Sequence, residues 1–353
     1  MTSRTLRCIC FVSVLTIGWT GELARAQQTG GSENNLLDLS LAELMDVNVL
    51  NVNVLATHTH LAGEWMIGYH PMVMNMTGTR AGTRRIADSE VLQNFMVTPT
   101  SMRMNMQMLH LMYAPTDDLT LMVVAQHLRL SMDHLTRMGG RFTTEAAGLG
   151  DVRAEVFYNA YGDVRQQGHR IVLGGGVSLP AGSTEERGDT PAGRNQLLPY
   201  PMQLGSGTFD LLPTVTYLGQ TNRWTWLSQA NATLRIGKNS SDYALGDRLR
   251  LTGWGSRQLT EWVAVNGQVE GQIWGNIDGA NPGLNPALVP TADPTLRGGK
   301  RVDVAIGLDF YVARGTAHGN RLAVVLTLPV YESLDGPQLE TTWHLAAGWS
   351  VTF

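Results

Sequence analysis

The chain has 353 residues, of which only 16% are charged, and a formal net charge of −4 at pH 7. A mildly acidic balance excludes the electrostatic footprint of a nucleic-acid binder. Both cysteines, Cys8 and Cys10, lie in the first dozen residues, so the remainder carries neither a disulfide framework nor a thiolate site.

Arg4 and Arg7 precede an apolar stretch from Cys8 to Trp19, and Ala24-Arg25-Ala26 follows as a small-x-small cleavage site. That pattern reads as a secretory signal peptide over 1–26. Residues 27–63 are expected to form a short N-terminal periplasmic arm. Ser40, with Glu43 three residues on, is a candidate N-cap for a short amphipathic helix there. The stretch 36–60 is a candidate docking segment for a periplasmic metal-handling partner, and His58-Thr59-His60 lies at its end.

From residue 64 the dominant signal is period-2 alternation. No run of about 18 apolar residues follows the signal, so helical membrane spans are excluded. The alternation predicts twelve strands near 64–76, 101–114, 119–134, 149–160, 169–180, 209–219, 223–236, 247–258, 261–277, 301–313, 320–330 and 341–353. Val302, Val304, Ile306, Leu308 and Phe310, for example, alternate with Arg301, Asp303, Ala305, Gly307 and Asp309. Short turns such as Pro115–Asp118, Gly219–Asn222 and Arg314–Gly319 alternate with longer loops at 77–100, 135–148, 181–208, 237–246, 278–300 and 331–340. Such alternation is expected of an all-β transmembrane antiparallel β-barrel of about twelve strands over 64–353, with short periplasmic turns and long external loops. Trp65, Tyr69, Tyr158, Trp224, Trp262 and Trp349 fall near strand ends, where interfacial girdles form. The last segment alternates from Trp343 to the terminal Phe353 and looks like the signal read by the barrel assembly machinery. The expected surroundings are therefore outer-membrane lipid.

Thirteen of the sixteen methionines lie between Met66 and Met138. Parity groups them. Met66, His70, Met72, Met74 and Met76 share one face of the first strand, and Trp65, Ile67, Tyr69 and Val73 the other. On the second strand Met102, Met104, Met106, Met108, His110 and Met112 share a face. Hairpin pairing of matched faces would gather these side chains. Thioether and imidazole suit soft ions, with Met selecting Cu(I) and by the same softness Ag(I). The candidate metal-handling residues are Met66, His70, Met72, Met74, Met76, Met104, Met106, Met108, His110 and Met112, with Cu(I) or Ag(I) as a transported ion rather than a resident cofactor. The competing reading is an apolar slide, since methionine is also a flexible filler. On the second strand Arg103, Asn105 and Gln107 oppose the methionines, so inward orientation there requires that half to stand above the membrane.

Charges at Arg153, Glu155, Arg235, Arg248, Arg250, Glu270, Asp303 and Asp309 are costly toward lipid and are expected in the lumen, either wetting a passage or pairing to close it. The loop 181–208 is a candidate constriction. Asn276 to Asn285 lacks the twelve-residue calcium pattern and reads as turn chemistry. His127, His134 and His344 have no serine at a spacing that singles out a catalytic pair, so no enzymatic activity is expected.

His58-Thr59-His60-Leu61-Ala62-Gly63-Glu64-Trp65-Met66, Leu111-Met112-Tyr113-Ala114-Pro115-Thr116-Asp117-Asp118-Leu119-Thr120-Leu121-Met122, Met132-Asp133-His134 and the run Pro199-Tyr200-Pro201-Met202-Gln203-Leu204-Gly205-Ser206-Gly207-Thr208 resemble bacterial outer-membrane proteins labelled simply as transporters, or placed in the MetA-pathway-of-phenol-degradation family. The resemblance spans nearly the whole mature chain, in a branch rich in Met and His. It implies an outer-membrane barrel. The family name suggests aromatic uptake, whereas this branch looks like a companion of copper and heavy-metal resistance systems. The functional readings are thus a Cu(I)/Ag(I) channel, a channel for hydrophobic or aromatic molecules, and a structural barrel with a closed lumen.

Overall fold

The structure, a computed structural model, describes residues 59–312 and 319–353. The signal peptide, nearly all of the arm, His58 and most of the turn Arg314–Gly319 lie outside the described residues.

Period-2 segments become long strands because each carries one lipid-compatible and one inward face. β1 is Trp65–Gly82, β2 Val97–Thr116 and β3 Leu119–Thr136. β4 (Arg141–Leu149) pairs with the far half of β3, and β5 (Val152–Tyr161) pairs with its near half. The two are one passage across the wall, broken where the Gly150 N–H donates to the Gln126 carbonyl at 2.9 Å. β6 is Gly168–Leu179, while β7 (Phe209–Leu211) and β8 (Thr214–Gln220) form the next interrupted passage. β9 (Trp224–Ile236), β10 (Arg248–Gln258), β11 (Val263–Trp274) and β12 (Gly299–Tyr311) continue the antiparallel meander.

The last element, β13 (Asn320–Thr352), follows β12 from Tyr311↔Arg321 to Gly299↔Leu334, then follows β1 from Gly82↔Leu334 to Met66↔Thr352. Its two ends meet, the Thr352 N–H donating to the Gly319 carbonyl at 3.2 Å. It therefore climbs and descends as a hairpin, and makes two passages of a closed barrel. Paired bonds between Trp65 and Phe353, both 2.9 Å, seal the first strand to the last. Closure removes every wall edge, the condition for backbone to survive in hydrocarbon.

Parity sorts the solvents. On β13 Leu322, Val324, Leu326 and Leu328 point outward and are exposed, while Ala323, Val325 and Thr327 are buried. The same holds on β6 for Ile171 and Leu173 against Arg170 and Val172. With an apolar band outside and charges within, the molecule is a barrel of the bacterial outer membrane.

Three expected loops need correction. Residues 141–149 and 331–340 are strand, and 77–100 holds the ends of β1 and β2 together with a short helix, Asp88–Asn94. The loop 181–208 turns inward. Leu198, Met202 and Leu204 are buried against Met102, Leu128, Leu130, Met132 and Ala146 of the wall. Asp151, at the β4/β5 break, holds both ends of that loop. Its carboxylate accepts the Gly182 N–H at 3.0 Å, the Ser206 N–H at 2.8 Å and the Ser206 hydroxyl at 2.7 Å.

Candidate functional site: the sulfur and imidazole face

All ten sequence-predicted residues fall on the inward parity, and the β1–β2 ladder places eight of them opposite one another, with His110 facing Gly68. Met66 faces Met112, His70 faces Met108, Met72 faces Met106, Met74 faces Met104 and Met76 faces Met102. The β2–β3 ladder extends the rows to Met122 and Met132, and the β1–β13 ladder brings His344 beside Met74. The polar half of β2 does not reverse this orientation. β2 and β3 are 20 and 18 residues long, whereas a crossing takes about 9–11 residues. Arg103, Asn105 and Gln107 thus occupy the outer side of surplus length, and the apolar outer residues Leu109, Leu111 and Leu121 lie nearer the short-turn end.

The face divides into two patches. Toward the long loops, Met76, Met102, Met104, Met106 and Met132 pack with Leu198, Met202, Leu204 and Leu339. Here the thioethers do what buried apolar chains do, filling the space under the inward loop. Toward the short turns, Met66, Met112 and Met122 pack around Phe157 and Val172. Beside them the His70 and His110 rings meet edge to face with centroids 4.6 Å apart. Both rings are buried, and neither Nε2 has a hydrogen-bond partner. Arg153 donates to the Met108 sulfur at 3.7 Å, so that thioether also lies inside the lumen. His60, buried at the short-turn end, is held by its N–H to the Thr120 hydroxyl at 3.1 Å and by Nδ1 near Glu64 at 3.3 Å.

Buried polar atoms are normally satisfied, so two orphaned imidazole nitrogens among thioethers demand an explanation. Among the described residues no group of three His, Cys, Asp or Glu side chains converges. A zinc-type or oxygen cage is therefore not what these strands build. The donors brought together are sulfur and imidazole, the set for soft monovalent ions.

The opposite wall is charged and largely self-compensated. Arg321 donates to Asp309 at 3.0 Å, Arg301 to Asp303 at 2.9 Å, and Arg250 lies 3.2 Å from Glu270, while Arg235 binds Asp210. Met122 and Met132, which share one parity with His134 in the third predicted strand, extend the sulfur rows there as that parity leads one to expect. One feature escaped the sequence reading: an arginine-lined cavity forms from segments far apart in the chain, which no local pattern announces.

No family profile and no curated relative matches the sequence. Among solved structures, the COG4313 outer membrane channel from Pseudomonas putida F1 is similar at 12% identity and a TM-score of 0.56, covering 84% of this chain and 97% of that one. The P. putida toluene transporter TodX aligns at 9% identity and a TM-score of 0.43, covering 82% and 90%. The beta domain of the Bordetella autotransporter BrkA aligns at 12% and 0.43, covering 83% and 100%. The first likeness supports the fold, a β-barrel of the outer-membrane kind.

Proposed function

We propose that this channel handles Cu(I) or Ag(I), with the patch at Met66, His70, Met108, His110 and Met112 as its transit site. The observation that carries the reading is the pair of buried imidazoles whose Nε2 atoms find no partner, on the same inward face as Met66, Met108 and Met112. Sites of this kind bind and release weakly enough to conduct, and thioether sulfur has no proton to lose at any working pH. The arm at 36–60 would then receive or deliver the ion at the periplasmic mouth.

The test replaces Met66, Met108 and Met112 by Leu and His70 and His110 by Gln. Leucine keeps volume and apolarity and costs under about 1.5 kcal/mol per site. The expected result is normal assembly with Ag(I) binding to the purified barrel weakened at least ten-fold and copper tolerance of cells altered as in a deletion. Unchanged Ag(I) binding by an assembled variant overturns the reading. A second reading, a passage for hydrophobic small molecules, draws support from the long-loop patch, where Met104 and Met106 pack as plain apolar surface. It expects Met-to-Leu changes to be silent throughout.

A further inference from the structure

Beneath the long loops lies a cavity of about 290 Å³, at the small end of the range for ligand sites. One wall is apolar and sulfur-rich, formed by Met76, Met102, Met132, Leu334 and Leu339. The other carries Arg235, Arg248, Arg297 and Arg301, and among the described residues the lone carboxylate lining the cavity is Glu332.

The charges do not balance. Arg235 is matched by Asp210 and Arg301 by Asp303. Glu332 accepts the Thr341 N–H at 3.1 Å and lies 3.9 Å from Arg80, a residue outside the lining. Arg248 lies over the Trp274 ring at 5.8 Å, and no carboxylate within ion-pair distance of it or of Arg297 is present among the described residues. Arg297 is the sharper case. Its backbone N–H donates to Asn276 at 2.7 Å and its carbonyl accepts the Trp274 indole N–H at 2.8 Å, which fixes the main chain. Its guanidinium Nη1 is nevertheless shut off from solvent with no hydrogen-bond partner. Burial pulls this guanidinium down to about 10, well below the ordinary arginine value.

A guanidinium nitrogen closed off from water with neither a hydrogen-bond partner nor a counter-charge is unfavourable, and an anionic ligand in the cavity would supply both. Guanidinium favours planar, bidentate anions. The facing thioether wall favours an apolar body. We infer that this cavity is a binding site for a small organic carboxylate with a compact apolar body, held by Arg248 and Arg297 against the Met76, Met102 and Met132 wall. The site is separate from the imidazole patch, and its test needs no metal, so neither result decides the other.

The experiment is 19F NMR titration of the purified, folded barrel with 4-fluorobenzoate, 4-fluorobenzyl alcohol and 4-fluorobenzylamine. The carboxylate is expected to bind at least ten-fold tighter than the alcohol, and the amine to show no saturable binding. In R248Q/R297Q, checked for folding by heat-modifiable migration, carboxylate affinity should fall at least ten-fold. R297K, which keeps the charge but loses the planar fork, should bind the carboxylate with an affinity between those of wild type and the double variant, and R257Q, over Trp224 beyond the cavity lining, should behave as wild type. Equal affinity for acid and alcohol, absence of acid binding, or undiminished binding in the folded double variant would overturn the inference.

Discussion

His110 lies across the β1–β2 ladder from Gly68, and a Cβ on Gly68 would stand 2.2 Å from the His110 ring. The missing side chain lets the imidazole fold over the strand and meet His70. Replacing Gly68 by Ala should therefore expel the His110 ring, costing roughly 1–3 kcal/mol as overpacking does and weakening Ag(I) binding. Gly253, where an added Cβ meets nothing within 4 Å, is the control. Urea unfolding in liposomes reads the stability, and a silent G68A would show that the ring packs elsewhere.

The inward loop depends on one carboxylate. Asp151 is buried and accepts three hydrogen bonds from Gly182 and Ser206. D151A leaves those donors without their acceptor, at roughly 1–3 kcal/mol for each one that stays buried. The loop should swing out, and single-channel conductance in planar bilayers should rise. Conductance equal to wild type would mean that Leu198, Met202 and Leu204 hold the loop alone.

Outer-face parity carries a third expectation. Leu326 sits mid-strand on the lipid side and Thr327 beside it is buried inside. L326R should cost about 2–4 kcal/mol near the bilayer midplane. T327S should change stability by under about 0.5 kcal/mol, the usual range for a mild substitution. Equilibrium folding into vesicles distinguishes them, and similar costs would contradict the assigned faces.

Why some elements were legible and others hidden follows from this parity. β13 reads from sequence up to residue 330 because large apolar chains alternate with small or polar ones. At Val330 and Tyr331 two successive side chains are exposed, where the β12 pairing slips between Val302 and Asp303. The alternation breaks there and 331–340 looks like loop. β4 was invisible for another reason. Thr143, Thr144, Glu145, Ala146 and Ala147 carry no hydrophobic period, and the strand forms because β3 offers a long edge. The Met/His face was readable residue by residue, since period 2 fixes orientation. Its division into a packed patch and an imidazole patch was not, because loop residues such as Leu198 and Met202 arrive from some fifty residues or more beyond the wall residues they cover.

Lumen charges supply the last test. Asp309 is fully buried and accepts from Arg321 at 3.0 Å and from the Asn266 amide at 2.6 Å. Breaking such a pair by removing one partner typically costs about 3–5 kcal/mol, while replacing both with apolar side chains of similar volume is often neutral. D309A should therefore destabilise the barrel strongly, because Arg321 loses its counter-charge beside Tyr311, over whose ring it lies at 5.1 Å. The double variant D309L/R321M should recover most of that loss in urea unfolding. If D309A alone is harmless, water must reach Arg321, and the wall between β11, β12 and β13 would be a wetted path rather than a closed one.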